Sequence, residues 1–143
     1  MAGQIEGPFS AFEHHERSSL ENMVKIAVGG QLAKEKIAEL VRQTGGDRVE
    51  VKVMQDVSAA MAIKNGSADY YIGACNTGGG GALALAIALL GMSLCETLTT
   101  PGSSCDESKI ITALNNGKKA FGVTDEHVSK VVPMLIKQIL ERA

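Results

Sequence analysis

The sequence has few aromatic residues: Trp is absent, and aromatic side chains make up 3% of its 143 residues. With 45% of residues apolar, the core of a folded domain must be built mainly from aliphatic side chains. The sequence has no excess of positive charge either, since it contains 14 basic and 16 acidic side chains. A nucleic-acid-binding surface usually combines a basic patch with stacking aromatic residues, so we expect no nucleic-acid partner.

Cysteine is also scarce, with three residues in the chain: Cys75, Cys95 and Cys105. Their odd number and irregular spacing do not predict a disulfide framework, and no secretory leader is recognisable before them. The longest apolar run is about a dozen residues, whereas a membrane-spanning helix needs roughly 20. We therefore expect a cytoplasmic protein with reduced thiols.

Residues 1–22 and residues 23–143 differ in pattern. The first segment contains Gly, Pro, Ser, Glu and the pair His14 and His15, and it shows no hydrophobic periodicity. It is interpreted as a flexible N-terminal extension or an expression remnant. The second segment is long enough to form a single α/β domain with its own core.

From residue 23 onward, strand and helix patterns alternate. Strands are predicted at residues 24–28, 49–53, 69–74, 94–99 and 119–123. Helices are predicted at residues 31–43, 57–65 and 82–90, after Ser104 as the first residue of a capping box, and from about residue 124, with a kink at Pro133. Such alternation is typical of a parallel sheet covered on both faces. We predict a three-layer αβα sandwich around a five-stranded, mostly parallel, doubly wound sheet with strand order 2-1-3-4-5.

The most informative segment joins the third strand to the apolar helix. It reads Cys-Asn-Thr followed by four glycines, which let backbone N–H groups approach a ligand closely. A helix that begins there directs its unpaired N–H groups and positive dipole end towards an anion. In a doubly wound sheet this loop meets the loop after the first strand at the switch point. The predicted ligand-binding residues are Gly29, Gly30, Gln31, Asn76, Thr77, Gly78, Gly79, Gly80, Gly81, Thr100 and Ser103.

Each of these features also has a structural explanation. The glycines can form a tight turn that lets a helix pack closely on the sheet, and Thr100 and Ser103 can satisfy backbone groups of a loop. Cys75 precedes a helix N-terminus, where a thiol can act as a base or nucleophile, although a buried and inert cysteine is the alternative. Cys75 is the candidate catalytic residue.

The glycine loop matches neither common nucleotide-binding motif. A Gly-x-Gly-x-x-Gly pattern that begins at Gly78 fails at Leu83, and no Lys-Ser or Lys-Thr pair follows the glycines. His127 is interpreted as a surface or capping residue, and the cysteines are not clustered, so no metal site is predicted. We expect a small phosphorylated or carboxylated metabolite as ligand, and no cofactor.

The helix predicted at residues 82–90 is apolar on every side. In a doubly wound sheet one face of such a helix stays exposed unless it meets another subunit. We therefore expect a homodimer through this helix.

Three segments resemble the YhfU-like family of uncharacterised bacterial proteins. They are residues 23–30 (Met-Val-Lys-Ile-Ala-Val-Gly-Gly), residues 68–78 (Ala-Asp-Tyr-Tyr-Ile-Gly-Ala-Cys-Asn-Thr-Gly) and residues 118–123 (Lys-Lys-Ala-Phe-Gly-Val). Members of that family are cytosolic and are typically encoded near a membrane transport protein and enzymes of small-molecule metabolism. The resemblance implies a membrane transport protein as a partner.

The central loop is also similar to that of the type B ribose-5-phosphate isomerases, which carry Cys-Gly-Thr-Gly-x-Gly after the same strand. That similarity implies Cys75 as the base that moves a proton and the amides from Thr77 to Gly80 as an oxyanion site. The isomerases carry Asp-His after the first strand, where this chain has Gly30-Gln31-Leu32. The alternatives are therefore a metabolite-binding protein, an isomerase that uses Cys75, and a cytosolic subunit associated with a small-molecule transporter.

Overall fold

The computed structural model describes residues 23–76 and 79–143, so the predicted extension at residues 1–22 lies outside the described residues. The strands are β1 (Val24–Gly30), β2 (Val49–Val53), β3 (Tyr70–Cys75), β4 (Cys95–Thr97) and β5 (Ala120–Thr124). The helices are α1 (Lys34–Gly45), α2 (Asp56–Lys64), α3 (Gly79–Leu90), α4 (Glu107–Asn115) and α5 (Val128–Glu141). Short 3₁₀ turns lie at Gly46–Arg48, Met92–Leu94 and Asp125–His127.

The strands form one sheet in which each neighbouring pair is parallel. Helices α1, α4 and α5 pack on one face of the sheet, and α2 and α3 pack on the other. The predicted αβα sandwich is therefore confirmed. The helices lie on both faces, as expected for a doubly wound sheet, and β3 is its central strand.

The predicted strand order 2-1-3-4-5 is wrong, because the observed order is β2-β1-β3-β5-β4. All five residues of β5 are buried and it suits the interior of a sheet. Strand β4 has three residues, including the partly exposed Glu96, and suits an edge. The correction has a consequence for the site, since the end of β5 and not the end of β4 lies beside the end of β3.

Several predicted helix starts are also corrected, among them that of α3, which begins at Gly79 instead of residue 82. Helix α1 begins at Lys34, three residues later than predicted, because the preceding residues bond to β3. Helix α4 is capped by Asp106, whose carboxylate accepts the backbone N–H of Lys109 at 3.2 Å, rather than by Ser104. A 3₁₀ turn at Asp125–His127 delays α5 until Val128.

The Asp106 cap predicts an acid-sensitive contribution to stability. Hydrogen bonds from Ser108 and from the Lys109 backbone lower the pKa of Asp106 below its ordinary value of 3.8. A lowered folded-state pKa stabilises the fold above pH 3.8, and this stabilisation is lost as the pH falls through the folded-state pKa. In urea unfolding, we expect the native chain to lose more stability on acidification than Asp106→Asn does. Equal losses would contradict a charged cap.

Apolar side chains are exposed on both α2 and α3. Leu85, Val57 and Met61 are exposed there, Met92 follows α3 with 73% of its surface exposed, and α3 has no charged side chain. None of the helices in the described ranges is long and apolar enough to cross a bilayer. The homodimer through residues 82–90 stays a prediction.

Light scattering at several concentrations tests this homodimer. We expect the molar mass of the native chain to rise towards twice that of one chain, whereas Leu85→Lys keeps a single-chain mass because it places a charge on the apolar face. A single-chain mass of the native protein at every concentration would contradict the dimer.

Candidate functional site

The segment after β1 crosses the end of β3. Gly30 has a φ of 82°, and a Cβ atom at this position would lie 2.5 Å from the backbone nitrogen of Ala74. The backbone N–H groups of Gln31 and Leu32 both donate to the carbonyl oxygen of Ala74, at 2.9 and 3.1 Å. The predicted meeting of Gly29 and Gly30 with β3 is therefore present. The N–H of Gln31, however, already has a partner within the protein, so it is less suited to bind a ligand than the sequence suggested.

The ends of β3 and β5 bring Cys75 and Thr124 together. These two residues are partners in the parallel register, and they share the sheet face on which α3 packs, since side chains alternate along a strand. Both residues are buried, with 2% and 1% of their surfaces exposed. Helix α3 begins four residues after Cys75, and its first turn has no acidic side chain.

The remaining predicted loop residues are placed as follows. Asn76 is exposed at the end of β3, and Gly79, Gly80 and Gly81 form the first three positions of α3. Thr77 and Gly78 lie outside the described residues. The backbone groups of Thr100 and Ser103 bond to each other at 3.1 and 2.9 Å, which is the structural explanation given for them above.

A network of hydroxyl groups and an imidazole ring continues from Thr124. Thr99, on the segment after β4, accepts the backbone N–H of Thr124 at 2.8 Å, and the two hydroxyl oxygens lie 2.9 Å apart. The Thr124 hydroxyl lies 2.5 Å from Nδ1 of His127. Thr99 and Thr124 are almost fully buried, whereas the His127 side chain keeps 14% of its surface exposed. The network therefore links the buried end of β5 to the protein surface.

Glu126 orients the outer end of this network. Its carboxylate lies 3.5 Å from Nε2 of His127 and also accepts the backbone N–H of Gly102 at 3.3 Å. A carboxylate beside Nε2 favours the tautomer with the proton on that nitrogen, which leaves Nδ1 as an acceptor. The Thr124 hydroxyl then donates to Nδ1.

Sequence reasoning missed Thr124 and interpreted His127 as a surface or capping residue. The observed ring bonds to Thr124 and provides no side-chain cap for α5. One signal was available: Thr124 ends an otherwise apolar strand and is followed within three residues by an acidic residue and a histidine. Because β4 was predicted to lie between β3 and β5, this signal was not connected to Cys75.

Tyr71 ties the first turn of α3 to the sheet. Its hydroxyl donates to the carbonyl oxygen of Ala82 at 2.8 Å, and it lies where a side chain at Gly29 or Gly73 would stand. Burial and the nearby Asp56 carboxylate raise the pKa of Tyr71, so the phenol stays protonated and remains a donor. Asp56 itself has one buried carboxylate oxygen without a hydrogen-bond partner in the described structure.

This bond predicts the effect of removing the hydroxyl. Tyr71→Phe removes this buried hydrogen bond, so we expect the unfolding free energy to fall by about 0.5–1.5 kcal/mol. Tyr70→Phe serves as a control, because this neighbouring hydroxyl is only partly buried and makes no hydrogen bond with the described residues. Urea unfolding of both variants tests the prediction, and equal effects would contradict it.

The other two cysteines are structural. Cys95, the first residue of β4, and Cys105, which lies just before α4, are both buried. Burial raises the pKa of both thiols, which keeps them protonated. In the described ranges, no three His, Cys, Asp or Glu side chains are grouped so as to hold a metal ion.

Solved structures of type B ribose 5-phosphate isomerases share this fold. The enzyme of Trypanosoma brucei superposes with a TM-score of 0.64 at 15% identity, over 82% of this chain and 85% of that enzyme. The enzyme of Trypanosoma cruzi gives a TM-score of 0.61 at 12% identity, over 82% of this chain and 83% of that enzyme. At these identities the likeness is one of fold.

Sequence comparison identifies closer relatives. The chain is 43% identical over 117 residues to the uncharacterized protein YhfU of Escherichia coli K12 and to its counterpart in Shigella flexneri, covering 82% of this chain and 99% of each relative. A family model described as a protein of unknown function, DUF2620, matches residues 24–139. The chain therefore belongs to the DUF2620 family.

Proposed function

We propose that the chain binds a small phosphorylated or carboxylated metabolite where β3 and β5 end, against the first turn of α3. The observation that carries this proposal is the position of Cys75 and Thr124 in register, on the face covered by a helix whose first turn lacks acidic side chains. The free N–H groups of such a turn favour an anion. Ligands of open parallel sheets commonly bind at this edge.

Two further groups at the carboxyl edge bear on the kind of ligand. Lys34, the first residue of α1, holds its ammonium group 3.1 Å from the carbonyl oxygen of Met54 and brings positive charge to this edge. The buried Asp56 oxygen without a donor favours a ligand that supplies one, such as a hydroxyl group. A phosphate monoester or a free carboxylate that also carries a hydroxyl group would satisfy both requirements.

A thermal-shift screen of the full chain tests this function. The compounds are inorganic phosphate, sulfate, ribose 5-phosphate, other sugar phosphates and small hydroxycarboxylates. A ligand at 100 times its dissociation constant stabilises the fold by about 2.7 kcal/mol, which raises Tm by several degrees. If no compound shifts Tm, the binding proposal is wrong.

A matched pair of variants locates the site. Gly79→Asp places a carboxylate in the first turn of α3, where it competes with a bound anion, and we expect it to abolish the shift. Gly79→Asn has nearly the same size without the charge, so it controls for the added side chain. Equal ligand-induced Tm shifts in the two variants would mean that the anion does not bind at the first turn of α3.

A second candidate function is isomerisation of a sugar phosphate by proton transfer. It is favoured by the Cys75–Thr124 pair and by the shared fold with the type B isomerases. The test is loss of a carbon-bound proton of a sugar phosphate in D₂O, followed by NMR. Cys75→Ser should abolish this exchange and preserve the thermal shift, whereas exchange that persists in Cys75→Ser would exclude Cys75 as the base.

A further inference from the structure

We propose that His127 accepts the proton that is released at the end of β3 and β5, and that Thr124 transfers it. This inference deepens the proposed function, because it supplies the site with a group that can store a proton. Its evidence is the register pairing of Cys75 with Thr124, together with the contacts that join Thr124 to His127 and His127 to Glu126. His127 acts through Thr124 and is thus a positioning and relay residue.

The donors along this path point in one direction. With the Glu126 carboxylate 3.5 Å from Nε2 of His127, the proton of the neutral ring is assigned to Nε2, so Nδ1 accepts the Thr124 hydroxyl proton at 2.5 Å. Thr99 in turn donates to the Thr124 oxygen at 2.9 Å, while it accepts the Thr124 backbone N–H. A hydroxyl oxygen has two lone pairs, and Thr99 occupies one of them. The second lone pair of Thr124 remains for a proton of the site.

The proton transfer balances without a further reagent. The S–H bond of Cys75, or an O–H bond of a ligand in its place, breaks as a new O–H bond forms on Thr124. The original O–H bond of Thr124 breaks as the Nδ1–H bond of His127 forms. The products are an anion at the site and an imidazolium ring beside the Glu126 carboxylate. A base that is oriented by a neighbouring carboxylate is the usual arrangement for activating a nucleophile.

A purely structural role does not account for the ring of His127. Its position precedes α5, yet the side chain makes no cap hydrogen bond to that helix. The hydroxyls of Thr99 and Thr124 already bond to each other without it. The imidazole therefore contributes a proton acceptor to the buried pair, with one edge kept close to solvent.

Alkylation of the full chain by iodoacetamide tests the relay without any ligand. Cys95 and Cys105 serve as internal references for opening of the fold, because both are buried and keep their protons. Chymotrypsin separates the three thiols, since leucines lie between them, and mass spectrometry then gives the rate at each. We expect Cys75 to react faster than both reference thiols.

The variants separate proton acceptance from structure. Thr124→Val removes the transferring hydroxyl, and His127→Gln keeps a hydrogen-bond acceptor that cannot take up the proton. Each should slow alkylation of Cys75 by about a hundredfold, a typical contribution of a general base, and leave the reference thiols unchanged. Thr124→Ser retains the hydroxyl and should stay close to the native rate.

The relay is overturned if His127→Gln reacts at the native rate, or if native Cys75 reacts no faster than Cys95 and Cys105. It is also overturned if the effects of Thr124→Val and His127→Gln add up in the double variant. Two residues on one proton path should slow alkylation of Cys75 no more together than either does alone. A thermal-shift screen without hits would refute metabolite binding and leave the alkylation rates unaffected, so the two proposals fail separately.

Discussion

Gly30→Ala is expected to destabilise the fold by at least about 3 kcal/mol, a large effect for a single methyl group. The φ of 82° at Gly30 disfavours any side chain, and the added Cβ would lie 2.5 Å from the Ala74 nitrogen and 2.9 Å from its oxygen. Both atoms belong to the backbone of the central strand and cannot move aside as a flexible side chain would. Relief would separate β1 from β3 and release the two hydrogen bonds to Ala74.

Gly117→Ala is the matched control for this variant. Gly117 has the same φ of 82°, but no atom lies within 4 Å of its Cβ position. It should therefore show the conformational cost alone, roughly 1–2 kcal/mol. Urea unfolding of both variants separates the two contributions, and equal free-energy losses would mean that the contact with Ala74 is not restrictive.

Phe121→Ala is expected to cost about 3–5 kcal/mol, because it removes a large and fully buried side chain from a well-packed core. Phe121 lies on β5, faces α1, α4 and α5, and contacts the ring of Tyr70 with 6.2 Å between ring centroids. Aliphatic side chains are packed around the ring of Phe121, and the sequence contains few other aromatic residues that could fill its place. A cavity beneath β5 would also loosen the strand that carries Thr124.

Met92→Ala provides the contrast, since Met92 has 73% of its surface exposed. We expect its unfolding free energy to change by no more than about 0.5 kcal/mol. Thermal or urea unfolding measures both variants. A loss below about 1.5 kcal/mol for Phe121→Ala would indicate that the core relaxes around the missing ring.

The layered architecture could be predicted from local patterns because each element carries its own signal. The apolar residues of α5 recur at helical spacing, and the short apolar runs that became β1 and β3 are followed by glycines. These signals gave the fold class and the position of Cys75 at a strand end. They depend on residues close together in sequence, so they required no knowledge of the tertiary structure.

The strand order and the Thr124–His127 contact could not be obtained in the same way. Whether β4 or β5 lies beside β3 depends on competition between two crossover connections, and the main local hints were the acidic residue in β4 and the apolar run in β5. The hydroxyl pair joins Thr99 to Thr124, 25 residues apart, and forms only once the order is set. The sequence therefore predicted that Cys75 lies at the end of β3, and it did not predict that the His127 ring lies beside Thr124.

The edges of the sheet affect how the protein behaves when it is concentrated. One edge is β4, with three residues, and the other is β2, which presents Glu50 and Lys52 to solvent. Short or charged edge strands hinder the backbone pairing that leads to fibrils. The predicted homodimer through α3 would instead use a side-chain surface, where association can stop at a closed assembly.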